Sequence, residues 1–150
     1  APTHKKTQPW RFVVFESTES RQSLSDYLAN AYQQSVSAEK FSEIQQKKIS
    51  EKPVQSACVI ANCMQRSPEE TLPEWEEIAA VSCAVQNMWL TCTSLGIGSY
   101  WATPGLILKA DAYLGLPEGQ RCLGLFYMGY TDVDGGEGQR DDIATKITWR

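Results

Sequence analysis

The stretch 75–95 is the sequence feature that most constrains how this chain can fold. Apolar residues recur along it at helical spacing: Ile78, Val81, Val85, Met88, Cys92 and Leu95. Further apolar side chains lie around the rest of the same helix: Ala79, Ala80, Cys83, Ala84 and Leu90. A helix that is apolar on nearly every side has to be buried, either inside the domain or against a second subunit. Its small residues permit close approach, so the pattern leaves both an internal helix and a dimer contact open.

Three apolar runs predict the main strands of a sheet. Residues 10–16 follow Pro9 with a β-branched and aromatic run. Residues 56–64 and 121–130 are almost continuously apolar, as in strands that helices cover on both faces. A shorter strand is predicted at 99–101, and the tail 143–149 is predicted to pair as an edge strand.

Helices are predicted between these strands. Ser17 or Thr18 caps a helix that runs to about residue 34, and a more polar helix over 37–50 is ended by Pro53. Gly96 closes the long helix, and Thr103 followed by Pro104 opens another that runs to about residue 114. The element order predicts one domain over residues 1–150, of α+β or α/β class, with a central sheet between helices.

Composition narrows the function classes. The 150 residues carry 14 Lys and Arg against 18 Asp and Glu, a net charge of −4, which argues against nucleic acid or an anionic membrane as the main partner. The five cysteines are odd in number and contain no C-x-x-C pair, which favours a reducing, cytoplasmic compartment over a disulfide framework. Most of them lie in apolar runs, where a thiolate nucleophile is disfavoured, and the single histidine argues against zinc.

Two short segments suit a flat, partly anionic cofactor. His4, Lys5, Lys6 and Gln8 place several donors in one polar loop, and residues 99–105 form a turn before the predicted helix N-terminus. A flavin ring needs donors along its polar edge and apolar walls, which these two segments offer. A Rossmann site is rejected because the glycines at 96 and 98 end a helix instead of opening one. The simpler interpretation of the first segment is a solvated loop.

Residues 2–12, with the sequence PTHKKTQPWRF, closely resemble the loop-to-strand signature of the nitroreductase family of flavoproteins. Later segments resemble the family in the same order: 76–89 its central helix, 95–101 the turn after it, and 114–119 the segment before its last core strand. The resemblance implies an α+β fold with a mostly antiparallel sheet, an obligate homodimer and FMN at the subunit interface. It also implies ping-pong transfer of reducing equivalents from NAD(P)H to a nitroaromatic, a quinone or a similar electrophilic acceptor, with the chemistry carried by the flavin.

The resemblance assigns cofactor-binding roles to particular residues. His4 and Gln8 match FMN contacts that reach the flavin bound mainly by the other subunit. Trp101, Ala102 and Thr103 match the segment that lies along the flavin ring, and Arg140 falls where many members place a phosphate-contacting cation. The resemblance implies no metal.

One departure from the family pattern keeps alternatives open. Family members carry an Arg-Arg-Ser-x-Arg segment roughly 30 residues upstream of the opening motif, and the sequence starts after that point. Charge-assisted phosphate contacts are worth about 1.5 to 3 kcal/mol each, so FMN affinity depends on them. The alternatives are a non-catalytic or truncated module that binds flavin or another small ligand, and an enzyme of the same fold with other flavin chemistry, such as dehalogenation.

Overall fold

A computed structural model describes residues 1–69, 71–133, 135–136 and 138–150. In these residues one antiparallel sheet is built from strands β1 (Trp10–Phe15), β2 (Cys58–Gln65), β3 (Gly98–Ala102) and β4 (Gln120–Gly129). The strand order is β1-β2-β4-β3, so β1 and β3 form the two edges. The register places Trp10 opposite Met64 at one end of the β1–β2 ladder and Trp101 opposite Phe126 in the β3–β4 ladder.

Helices cover both faces of the sheet because the β2 and β4 side chains alternate between two apolar layers. Helices α1 (Thr18–Ser35) and α2 (Glu43–Gln55) contact each other, and α1 buries Leu24 and Leu28 on one face. The other face is covered by α3 (Glu74–Ser94), whose Val81 and Val85 pack against Phe126. The short α4 (Asp111–Leu114) lies on the α1 side. The predicted α+β class, with a central antiparallel sheet between helices, is confirmed.

The long helix ends as its sequence predicts. Gly96 adopts a left-handed conformation with φ of 69°, and the amide of Ile97 donates to the carbonyl of Cys92. The amide of Gly96 donates to Thr93, which completes the paired bonds of a Schellman motif. This ending turns the chain directly into β3, so the position of β3 follows from the end of α3.

Three predicted elements are wrong. The helix predicted from 37 to 50 begins later, at Glu43 after a short turn, and it continues through Pro53 to Gln55, because a proline in the last turn removes only one backbone bond. No continuous helix follows Thr103. Instead, a 3-10 turn at Ile107–Lys109 precedes α4, because the amide of Ile107 bonds back only three residues, to Pro104.

The predicted C-terminal edge strand is the third. The tail contains a 3-10 turn at Ile143–Lys146, and it pairs with no strand in the described part of the chain. Its apolar side chains are exposed, including Trp149 at 88%. Among the residues that the structure describes, no helix combines the length and the apolar character that a membrane crossing requires.

Candidate functional site

The loop before β1 has an unusual backbone. Lys5, Lys6 and Gln8 all have positive φ, at 48°, 58° and 46°. Left-handed conformations are uncommon for residues other than glycine, and each costs about 1 to 3 kcal/mol unless the surroundings hold it. The hydroxyl of Thr3 supplies such support, because it lies 3.0 Å from the hydroxyl of Thr7 and accepts from the amide of Gln8 at 3.1 Å. The loop is therefore a folded unit, and most of its residues are exposed, as the simpler interpretation of a solvated loop also expects.

His4 joins this loop to α3. Its Nδ1 atom lies 2.6 Å from Oε2 of Glu76, while its side chain remains 59% exposed. The two residues line an open cavity of about 560 Å³ together with Pro2, Thr3, Trp75, Ala79, Ala80 and Cys83. His4 thus lines a cavity beside α3.

Gln8 lies at the entry to β1. Its carbonyl accepts from Nη1 of Arg11 at 2.9 Å, its side chain is exposed, and the next residue, Pro9, is buried. The carbonyl of Pro9 accepts from the amide of Gln65 at 2.7 Å, which fastens the loop to β2. The exposed amide side chain of Gln8 is available to a ligand or to a second chain.

Trp101 and Ala102 end β3 at the opposite edge of the sheet, and Thr103 follows them. Trp101 packs in the apolar layer under α3, and its buried Nε1 has no hydrogen-bond partner among the described residues. Gly124 on the neighbouring strand has φ of 134°, and a Cβ there would lie 2.5 Å from this Nε1 and 2.6 Å from the carbonyl oxygen of Ala102. Glycine at 124 is therefore what allows this segment to lie so close to β4.

Two cavities flank the continuation of this segment on the α1 and α2 side. One of about 260 Å³ is lined by Ile49, Lys52, Ala102, Thr103, Pro104 and Tyr127. The other, of about 600 Å³, is lined by Tyr27, Ala31, Gln34, Ser35, Gly105, Leu106 and Lys109. The sequence reasoning singled out none of the α1 residues or Lys109 for this site, since their contribution depends on how α1 crosses the turn after β3.

Stacked aromatic side chains form one wall beside the smaller cavity. The rings of Tyr100 and Tyr127 stack with centroids 5.1 Å apart, and Nζ of Lys52 lies 5.7 Å from the centroid of Tyr100. Burial raises the pKa of both phenols. Both are therefore neutral hydrogen-bonding groups across the physiological range, and Lys52 places a cation beside them.

The predicted site residues fall into two separate groups. His4 and Gln8 lie beside β1, whereas Trp101 and Ala102 end β3 and Thr103 follows it, so that at least three strand spacings, about 14 Å, separate the two groups. The structure does not bring Arg140 to either group in the contacts it shows: its exposed guanidinium donates to the carbonyl of Gln139 at 3.0 Å. The cofactor roles of all six residues remain predictions.

The outer face of α3 carries exposed apolar side chains. Trp75 is 66% exposed and Leu90 59%, whereas Val81 and Val85 on the inner face are buried. Within one chain, α3 is therefore buried on its inner face and exposed on its outer face. Of the two possibilities left by the sequence, the exposed stripe favours a surface that meets another molecule.

Known proteins resemble this chain over nearly all of its length. The protein named "Putative NAD(P)H nitroreductase YdjA" from Escherichia coli strain K12 is 27% identical over 132 residues, which cover 86% of this chain and 69% of that protein. The crystal structure of a nitroreductase-like family protein from Bacillus cereus is 26% identical and superposes with a TM-score of 0.80, covering 100% of this chain and 78% of that one.

A third similar protein is named together with FMN and NADPH. The FMN-dependent nitroreductase NfnB from Mycobacterium smegmatis, crystallised with NADPH, is 16% identical with a TM-score of 0.75 over 100% of this chain and 82% of its own. The names of the first two proteins agree with the enzyme class predicted from the sequence, and the likeness to NfnB shows the same fold. The model of the nitroreductase family matches residues 1–130, and the chain belongs to that family.

Proposed function

We propose that this chain is an FMN-dependent oxidoreductase that transfers reducing equivalents from NAD(P)H to a nitroaromatic, quinone or similar electrophilic acceptor by a ping-pong mechanism. The observation that carries the proposal is the 600 Å³ cavity between α1 and the turn after Thr103. Pockets for small ligands and cofactors usually measure about 300 to 1,000 Å³, and this one adjoins the segment that family resemblance assigns to the flavin ring.

The residues of the chain fit such a cofactor. Tyr27, Ala31 and Leu106 give the cavity apolar and aromatic walls, while Gln34 and Ser35 add polar groups. Lys109 supplies a cation, which suits an anionic phosphate or an anionic reduced ring. An added Cβ at Gly105 would meet nothing within 4 Å, so a flat ligand can approach the backbone there.

When bound, FMN supplies the redox chemistry, and the protein supplies binding, orientation and electrostatics. Ala102 and Thr103 would lie along one side of the ring, with the half-buried Trp101 supporting them from the sheet. His4 and Gln8 would provide hydrogen bonds from the loop before β1. No side chain of the protein has to act as a nucleophile.

We also propose that the active form is a homodimer. His4 faces the α3 side of the sheet, whereas Thr103 and Lys109 line cavities on the α1 and α2 side, so one chain presents its two groups in different directions. The proposal therefore requires a second copy that docks so that the loop of one chain reaches the cavity of the other. Analytical ultracentrifugation tests this, and a monomer that retains full FMN-dependent turnover would refute it.

The decisive experiment combines cofactor binding with turnover. The full chain is purified, its visible absorbance is recorded, FMN is added if needed, and NADH and NADPH oxidation are assayed with a nitroaromatic, a quinone and an aryl halide. We expect flavin absorbance that bleaches under NAD(P)H and parallel double-reciprocal plots. A colourless protein that takes up no FMN would overturn the proposal.

A matched pair of variants locates the site. Lys109→Ala should weaken FMN binding by about 10- to 150-fold, since one hydrogen bond to a charged group is worth about 1.5 to 3 kcal/mol. Lys48→Ala removes the same charge from an exposed position on α2 that lies outside the cavity lining, and it should leave FMN binding unchanged. Equal effects of the two changes would place the cofactor elsewhere.

A binding module without turnover is the second candidate, and retained flavin that fails to bleach under NAD(P)H would favour it.

The five cysteines of the chain are all free thiols. Free thiols are typical of a reducing compartment, which supports the proposal that the protein works in the cytoplasm.

A further inference from the structure

The contact between His4 and Glu76 carries an inference beyond the proposed activity. Nδ1 of His4 lies 2.6 Å from Oε2 of Glu76, at the wall of the cavity outside α3. A carboxylate has acceptor oxygens and no donor, so a hydrogen bond of this length places the hydrogen on Nδ1. We propose that Glu76 is a positioning residue that holds His4 in its Nδ1–H form, so that Nε2 is the ring nitrogen offered to FMN.

His4 and Glu76 are each held in place by contacts other than their own hydrogen bond. Glu76 lies in the first turn of α3, where the positive end of the helix dipole favours a carboxylate. The helix is fixed by Val81 and Val85 in the apolar layer below. His4 belongs to the loop that Thr3 and Thr7 brace, so neither residue needs the other in order to be in place.

A second contact joins the same two elements. Nζ of Lys5 donates to the carbonyl of Thr71 at 3.5 Å, just before α3 begins. Lys5 thus fastens the loop to the segment before α3 independently of the imidazole. Removing the Glu76 carboxylate should therefore free the ring without unfolding the loop.

The contact with Glu76 determines which ring nitrogen of His4 a ligand can meet. With Nδ1 committed to Glu76, His4 can meet a ligand only through Nε2, which accepts a hydrogen bond when the ring is neutral and donates one when it is protonated. An imidazole without this restraint could rotate or change tautomer and present either nitrogen. Glu76 therefore determines which nitrogen, and which direction, the loop offers.

The single histidine makes the first test direct. Nitrogen-15 NMR of the FMN-free protein, recorded where the spectrum shows a neutral ring, should give a protonated Nδ1 and an unprotonated Nε2. In Glu76→Gln that preference should be lost, because an amide can either donate or accept. Glu74→Gln is the matched control: it removes the same charge from the same helical turn, but Glu74 pairs with Arg121 at 2.9 Å. A wild-type ring protonated at Nε2, or one unchanged in Glu76→Gln, would overturn the proposal.

The second test measures FMN affinity and rests on the proposed function. Glu76→Gln should raise the Kd for FMN by about tenfold, and the effect should disappear when the same change is made in His4→Ala. Glu74→Gln should leave the Kd unchanged. An equal loss in both backgrounds would mean that Glu76 acts without His4. Failure of the wild-type chain to bind FMN would overturn the proposed function, whereas the NMR result would still decide the role of Glu76.

Discussion

Replacing Gly124 with alanine is the sharpest test of how the sheet positions the Trp101–Thr103 segment. The new Cβ would lie 2.5 Å from Nε1 of Trp101, 2.6 Å from the carbonyl oxygen of Ala102 and 2.9 Å from Cγ2 of Thr103. All three separations are under the 3.0 Å that real Cβ atoms essentially never show. One of the three atoms belongs to the backbone, so a rotamer change alone cannot relieve the contact.

Two costs add up at this position. A left-handed conformation costs a residue with a Cβ about 1 to 2 kcal/mol, and the φ of Gly124 is 134°. Overpacking in a tightly filled region costs about 1 to 3 kcal/mol more. We therefore expect the free energy of unfolding to fall by about 2 to 5 kcal/mol, which lowers the Tm by about 4 to 20 °C in a chain of this size.

Gly115→Ala separates the two costs. Gly115 has φ of 66°, but a Cβ there would meet nothing within 4 Å. It should lose only the conformational part, about 1 to 2 kcal/mol. Urea denaturation gives both free energies of unfolding, and FMN titration gives both affinities.

The functional expectation follows from the displaced backbone. If Trp101, Ala102 and Thr103 line the flavin, Gly124→Ala should weaken FMN binding at temperatures where the variant is still folded, whereas Gly115→Ala should not. Equal losses of stability in the two variants would refute the packing argument. Unchanged FMN affinity in a folded Gly124→Ala variant would refute the assignment of this segment to the cofactor.

Three further predictions concern stability. Glu77 is fully buried and accepts a hydrogen bond from Arg66. Arg66→Met should lower the free energy of unfolding, measured by urea denaturation, by about 3 to 5 kcal/mol because it leaves the buried carboxylate without this partner. Replacing both residues, by Arg66→Met and Glu77→Leu, should cost much less. Leu28→Ala should cost about 2 to 5 kcal/mol, because the Leu28 side chain on the inner face of α1 is fully buried; a loss below 1 kcal/mol would contradict the packing. Burial, and then the neighbouring Tyr100, raise the pKa of Tyr127, so its stabilising contribution is complete below about pH 10 and is lost as the pH rises above that value. Tyr127→Phe should therefore reduce the alkaline loss of stability measured by denaturation at several pH values.

Elements with a strong local pattern could be predicted from the sequence. The apolar stripe and the closing glycine predict α3 and its end, and continuous apolar runs predict β2 and β4. The segment after Thr103 could not be predicted in the same way. Its buried residues Ile107, Ala110 and Leu114 suit a helix by spacing, but the turn tightens to three-residue bonds, so the chain reaches the core without forming a long helix.

The candidate site also contains features that the sequence could predict and features that it could not. The residues of the opening loop could be identified by family resemblance, but its left-handed backbone could not be predicted, since lysine and glutamine rarely adopt that conformation. The contact of His4 with Glu76 joins residues 72 positions apart, and no periodicity relates them. Whether Lys109 and the α1 residues line the larger cavity depends on how α1 crosses the turn after β3. No local sequence pattern predicts that crossing.

The placement of the two groups on opposite sheet edges has a genetic consequence in the proposed homodimer. Each active site would draw on both chains, so a chain damaged at His4 and a chain damaged at Thr103 would each be inactive alone. Mixed together, they would form heterodimers in which one site carries both lesions and the other carries none. Such intragenic complementation should restore up to half of the wild-type activity per heterodimer, and it would be absent if both groups served a site within one chain.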